Sequence, residues 1–77
     1  MARTERKKDQ PALLDVVALL ADRPVDNLAR GQVGTVVEAL DGKIFLVEFS
    51  DDKGRAYALI PCPSSDLIVL HYVPQAA

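Results

Sequence analysis

The chain has few of the residues from which small proteins gain covalent or metal-based stability. Its 77 residues include one cysteine, one histidine and no tryptophan. A lone thiol forms no disulfide within the chain, and no metal cluster compensates for that. We therefore expect one small domain of modest stability in a reducing compartment. Because only two Phe and two Tyr are present, its core must consist mainly of Val, Leu, Ile and Ala.

No apolar run is long enough to cross a membrane. The first such run, residues 12–21, contains Asp15 and ends at Asp22, whereas a membrane-spanning helix needs about 20 apolar residues. A signal peptide needs an uncharged apolar centre and a small-residue cleavage site, and the run offers neither. We expect a cytoplasmic protein with no membrane association.

The body of the chain also lacks an excess of positive charge. From Pro11 onward there are nine acidic and five basic residues, a net charge of −4, while residues 1–10 hold four basic and two acidic residues, a net charge of +2. A nucleic-acid-binding domain usually shows the opposite balance, because its affinity depends on neutralising phosphates. The sequence predicts a disordered basic tail over residues 1–10 and an acidic body.

The segment from Arg30 to Leu59 contains three β-rich runs separated by two turn signals, Asp41-Gly42 and the stretch 50–54. This pattern predicts a β-meander. Its last strand should run from Arg55 to Ile60 and end there, because the prolines at 61 and 63 lack a backbone donor. A short helical turn over 64–66 and a final strand over 67–70 follow.

The first apolar run can be read in two ways. Leu13, Val16, Val17 and Leu20 fit helical spacing, but the run is short and holds a β-branched pair, which favours a strand from Leu14 to Leu20. The predicted fold is therefore all-β: a five-stranded SH3-like barrel over residues 11–74, with one 3-10 turn before the last strand and a frayed end over 75–77.

Burial pattern decides the expected pairing of the first hairpin. A two-residue Asp41-Gly42 turn would place Glu38 on the apolar face of the next strand. One extra turn residue, with Gly42 in a bulge, turns Glu38 outward, since a one-residue slip exchanges the two faces. The bulged hairpin is preferred. It would direct inward Val33, Thr35, Val37 and Ala39, and outward Val36, Leu40, Ile44 and Leu46.

Four segments resemble a known family of short bacterial proteins. They are Leu14–Leu20, Arg30–Glu38, Val47–Phe49 and Gly54–Leu59, and the likeness extends over about residues 13–70. The family is domain of unknown function 4926, and the resemblance implies a small all-β barrel that accompanies another protein, with no established activity. Residues 31–37 also resemble the start of KOW-type barrels. The overall shape is similar to the small barrel of the nitrile hydratase β subunit.

Candidate chemical groups are sparse, and we expect no enzyme, no cofactor and no metal. Cys62 between two prolines could present a thiolate to haem with His71 as second ligand, but a thiol in a rigid loop is the simpler interpretation. Asp51 and Asp52 could suggest a cation site, yet the loop is short and carries Lys53, as expected of a solvated hairpin tip.

The remaining candidate is the surface. Val36, Leu40, Ile44 and Leu46 would form an apolar interface, with Arg30, Arg55 and Tyr57 at its rim. The sequence therefore predicts a non-enzymatic interaction module that binds a protein partner encoded nearby, in the manner of an antitoxin, an immunity protein or an assembly factor. A homo-oligomer is an additional possibility. The alternatives are a KOW-like nucleic-acid or ribosome contact through the basic tail and an accessory subunit of a metalloenzyme.

Overall fold

The structure is a computed structural model that describes residues 10–71. It contains five strands: β1 (Val16–Leu19), β2 (Val33–Asp41), β3 (Ile44–Ser50), β4 (Ala56–Pro63) and β5 (Leu67–Val69). Two 3-10 helices cover Pro24–Asp26 and Ser64–Asp66. The predicted all-β class and the 3-10 turn before the last strand are confirmed. Residues 1–9 of the predicted tail and the predicted frayed end lie outside the described residues.

All strand pairs are antiparallel, and the order across the sheet is β4-β3-β2-β1-β5. Within residues 10–71, no pairing joins β4 to β5, so the sheet is open and the predicted barrel is not closed by hydrogen bonds. Buried side chains from all five strands nevertheless meet in one cluster. The sheet therefore curves around its inner face. No helix in this part of the chain is long and apolar enough to cross a membrane.

The first apolar run forms a strand, as predicted, although it is shorter than expected. Val17, Ala18 and Leu19 are all buried, which an alternating one-sided strand would not show. β1 lies between β2 and β5, and Ala18 is opposite Val33 on one side and Ile68 on the other. Burial on both faces explains why the run is continuously apolar and resembles a helix in its spacing.

The predicted pairing of β2 with β3 is wrong over the half of the hairpin nearest its base. There Val36 lies opposite Val47 and is fully buried, while Val33, predicted inward, is about half exposed. Register shifts leave Val37 and Leu40 as extra residues of β2. These two bulges change the side-chain direction along the strand. Glu38 is therefore exposed although Val36 is buried, a combination that neither regular register provides.

The prolines do not end β4 at Ile60 as predicted. The strand continues to Pro63, with Pro61 opposite Leu46 and Pro63 opposite Ile44. The amide of Ser64 donates to the carbonyl of Lys43, so amides at even positions face β3 and amides at odd positions face away from it. Both prolines therefore stand where no donor is needed, on the open side of an edge strand.

Candidate interaction surface

The structure separates the residues predicted to form one interface. Val36 has 0% exposure and belongs to the core, so its predicted place in the interface is wrong. Ile44 and Leu46 are half-buried, while Leu40, Arg30, Arg55 and Tyr57 are exposed. The side-chain alternation of β3 explains the division, because Phe45, Val47 and Phe49 point into the core and leave the even positions on the outer face.

The outer face of β3 and β4 carries an apolar group of residues. Leu46 lies directly opposite Pro61, and Leu59 follows on the same side of β4, opposite Glu48. Leu59 is 54% exposed, and Pro61 is also exposed. Tyr57, 49% exposed, precedes them on β4. We call Leu46, Tyr57, Leu59 and Pro61 the outer patch.

Sequence reasoning missed Leu59 and Pro61. Inner and outer positions of β4 are both apolar, because Ala58, Ile60 and Cys62 alternate with the outer patch and pack toward the core. Hydrophobicity alone could not tell the faces apart. The available signal was the pair of prolines two residues apart, because such prolines must share one side of an edge strand.

Tyr57 is positioned by a bulge and by one hydrogen bond. The pairs Phe49–Ala58 and Ser50–Ala56 leave Tyr57 as the extra residue of β4. The side-chain amide of Gln32 donates to its hydroxyl oxygen at 2.6 Å. The bond connects the segment that holds Arg30 with the segment that holds Arg55.

Carboxylates flank the outer patch. Glu38 lies opposite Leu46 and Glu48 lies opposite Leu59. At the rim, the guanidinium of Arg55 is 3.3 Å from the Asp51 carboxylate, so part of its charge is neutralised within the hairpin. The surface therefore combines exposed apolar side chains with negative charge, and Arg30 and Arg55 are both exposed.

A second group of exposed leucines lies beside the half of β2 that is nearest to the β2–β3 turn. Leu14 donates its amide to the Val36 carbonyl at 2.7 Å, and the Gln10 side chain donates to the Gly42 carbonyl at 3.3 Å. Residues 10–14 are thus fastened alongside the part of β2 that carries Leu40. Leu13, Leu14 and Leu40 are all exposed, which gives the predicted interface residue Leu40 different neighbours from the outer patch.

The structure shows where the residues considered for chemistry lie. Cys62 is fully buried and its thiol donates to the Ile60 carbonyl at 3.6 Å. Burial raises the pKa of this thiol, although Arg23 acts in the opposite direction. His71 is exposed and follows β5, a strand that does not pair with β4. The Asp51 carboxylate accepts the amides of Lys53 and Arg55, which organises the hairpin tip.

Residues 10–71 contain no group of three or more His, Cys, Asp or Glu side chains arranged to hold a metal ion. One group of charged side chains, Arg23 with Asp26 and Asp66, links two parts of the chain. Arg23 is 2.8 Å from the Asp26 carboxylate and 3.6 Å from that of Asp66, and so joins the two 3-10 helices. The hydrogen bond that Arg23 donates to the Asp26 carboxylate is the main cause of a raised pKa for Arg23.

Comparison with known proteins places the chain in a family without assigning an activity. Residues 13–69 match the family described as Domain of unknown function (DUF4926). The chain belongs to this family. No curated protein and no solved structure matches it. The match extends from the turn before β1 to the end of β5, so it includes the strands that carry the outer patch. DUF4926 membership brings no substrate or partner, and function must be argued from the surface.

Proposed function

We propose that this protein is a non-enzymatic interaction module that binds a protein partner through the outer patch. The observation that carries the proposal is the exposure of Leu59, Tyr57 and Pro61 on an ordered strand whose opposite face forms the core. An ordered strand holds such side chains in place, so a partner can bind them without first ordering a loop.

The composition of the patch resembles that of a binding site. Tyrosine is enriched among residues that dominate binding energy, and here its ring is half exposed while its hydroxyl is already bonded to Gln32. Leu59 adds apolar area beside it. Contiguous exposed apolar residues with a polar border are typical of interaction sites in small soluble domains.

Charge defines the preferred partner. Glu38 and Glu48 border the apolar residues, and the chain from Pro11 onward has a net charge of −4. A complementary surface would present apolar side chains flanked by Lys or Arg. We propose that the protein acts in the cytoplasm, because its lone cysteine is a buried, unpaired thiol. We also propose that its partner is encoded nearby.

The test is affinity capture at moderate salt from cells that make the protein, with and without nuclease, followed by mass spectrometry. Leu59→Asp should lose the partner. Val25→Asp is the matched control, because Val25 is 97% exposed and lies in the 3-10 helix after β1. Both variants must show the wild-type circular dichroism spectrum. Equal capture by the two variants would remove the outer patch from the proposal.

The two alternative functions give different results in the same experiment. Loss of all captured proteins on nuclease treatment would favour the nucleic-acid contact, and deletion of residues 1–9 should then abolish binding. Stoichiometric recovery of a large metal-containing chain would favour the accessory subunit. Recovery of one protein in both arms, sensitive to Leu59→Asp, supports the interaction module.

A further inference from the structure

The turn before β1 exposes two leucines at positions where other residue types are usual. The amide of Asp15 donates to the Ala12 carbonyl at 3.0 Å, so Leu13 and Leu14 are the two central residues of the turn. Their side chains are 60% and 71% exposed. Gly, Asn and Pro are favoured at such positions because of their backbone preferences, so a pair of leucines needs another explanation. We call Leu13 and Leu14 the leucine turn.

Leu14 is also held in an unfavourable backbone conformation. Its φ is 69°, in the left-handed region that disfavours a bulky side chain and suits Gly or Asn. The conformation is fixed on one side by the Leu14 amide, which donates to the Val36 carbonyl at 2.7 Å. On the other side, the Asp15 carboxylate accepts the Ala12 amide at 2.9 Å. Leucine at position 14 therefore lowers the stability of the fold unless its side chain gains a contact.

The pairing of β5 with β1 indicates which part of the chain arrives at the leucine turn. Val17 lies opposite Val69, and the amide of Leu70 donates to the Val16 carbonyl at 2.8 Å. β5 therefore runs along β1 toward the turn, and His71 follows it. The same register, extended by two residues from Val16 and Leu70, would bring position 72 opposite position 14 and position 73 opposite position 13.

We propose that residues 72–77 of this chain dock on the leucine turn, with Tyr72 against Leu14 and Val73 against Leu13. These residues read Tyr-Val-Pro-Gln-Ala-Ala and carry no charged side chain, which suits an apolar contact. Burial of the leucines by an aromatic ring and a β-branched side chain offsets the unfavourable backbone at position 14. The contact is separate from the outer patch and independent of the proposed function.

Covalent connection is the reason to favour this segment over a separate protein. Position 72 is one residue from His71, and an extended chain covers about 3.3 Å per residue, so the segment has a high effective concentration at the turn. A separate partner would have to offset the entropy of association, and two leucines supply little buried area for that. A small contact is sufficient only for a segment that is already attached.

Proton NMR on the full chain tests the contact directly. Nuclear Overhauser effects should connect the Tyr72 ring with the methyl groups of Leu14, equally at low and at high protein concentration. Contacts from Tyr72 to Leu20 or Ile68 instead would overturn the proposal, because they would place the segment in the groove that these residues line along β5. A contact seen only at high concentration would assign the leucine turn to a second copy, and no contact at all would leave Leu14 uncovered. Either result would also overturn the proposal.

A double-mutant cycle separates the contact from the backbone strain. In the Tyr72→Ser background, Leu14→Gly should raise the melting temperature by about 4–8 °C, because glycine relieves the strain and no contact is lost. With Tyr72 present, the same substitution should give a smaller rise or a decrease, because it also removes the contact. Equal rises in the two backgrounds would contradict docking, since residues in contact are not additive.

Asn27→Gly is the matched control for the cycle. Asn27 also has a positive φ, 58°, and it lies directly after the first 3-10 helix. Its effect on the melting temperature should be the same whether position 72 holds Tyr or Ser. A dependence on position 72 as large at Asn27 as at Leu14 would indicate a general loss of stability and would overturn the proposal.

Discussion

The two faces of the curved sheet are similar in composition and different in role. The inner face presents Val36, Phe49 and Cys62, all with 0% exposure. The outer face presents Leu46 on β3 and Leu59 and Pro61 on β4, with the exposed Tyr57 at the bulge that precedes Leu59. Apolar character alone therefore does not separate core residues from exposed ones in this protein. What separates them is which face the sheet curves around, and the bulges in β2 and β4 determine where each side chain points.

The comparison implies that the same kind of substitution should destabilise the fold strongly on the inner face and hardly at all on the outer face. Val36→Asp buries an unpaired carboxylate and should cost about 4 kcal/mol or more, which is most of the ~3–5 kcal/mol that a core of this size supplies. We expect this variant to be unfolded already in the absence of urea, so that its urea titration shows no cooperative transition. Leu59→Asp should change the free energy of unfolding by no more than about 0.5 kcal/mol. A folded Val36→Asp variant would indicate that Val36 lies at the surface and not in the core.

The glycines of the β2–β3 hairpin give the next largest contrast. A Cβ at Gly34 would lie 2.7 Å from Val47 Cγ1 and 2.8 Å from the Glu48 carbonyl oxygen. Gly34→Ala should therefore destabilise by about 1–3 kcal/mol through overpacking. A Cβ at Gly42 meets nothing within 4 Å, so Gly42→Ala is the control. Equal melting temperatures would show that β2 does not approach β3 as described.

Arg23 tests how the loop after β1 is tied to the turn before β5. Arg23→Gln removes the ion pairs with Asp26 and Asp66. The Arg23 side chain retains 26% exposure, so we expect a loss of about 1 kcal/mol or less. The loss should shrink at high salt. Arg30→Gln, at an exposed position, is the matched variant. A loss that is independent of salt would assign the effect to packing of the Arg23 stem.

Asp51 should give the smallest effect, limited to the β3–β4 turn. Hydrogen bonds from the Arg55 and Lys53 amides lower the pKa of Asp51 below its ordinary value of 3.8. A lowered folded-state pKa stabilises the fold above pH 3.8, and the contribution is lost as pH falls through the folded-state value. Asp51→Ala should be slightly less stable than wild type at pH 7, with the difference shrinking in acid. Asp52→Ala is the control, and a difference that grows in acid would contradict the assignment.

The strand count and the closing 3-10 turn could be predicted because they depend on local signals. Asp41-Gly42 lies at the hairpin tip, with Asp41 opposite Ile44, and Ser64–Asp66 forms the predicted turn. The membership of β1 in the sheet was also accessible, since its β-branched pair disfavours a helix. Each of these features is determined by a few consecutive residues.

The register and the site were harder to predict because they depend on distant residues. Both hairpin alternatives assumed one register along the whole of β2, whereas the extra residue Val37 allows Val36 and Glu38 to be on opposite faces. The continuation of β4 through Pro61 is permitted only because β4 is an edge strand. That position follows from the pairing of the whole chain. Consequently Val36 was misassigned to the interface, and Leu59 and Pro61 were missed.

The most direct test of the central claim is site-specific photo-crosslinking from the outer patch. A photoreactive phenylalanine analogue at position 59 should crosslink to one partner protein in cells, at a yield reduced by Glu38→Lys together with Glu48→Lys. The same analogue at position 25 should give no such product. Crosslinking to the same partner from position 25, or none from position 59, would contradict the assignment of binding to the outer face of β3 and β4.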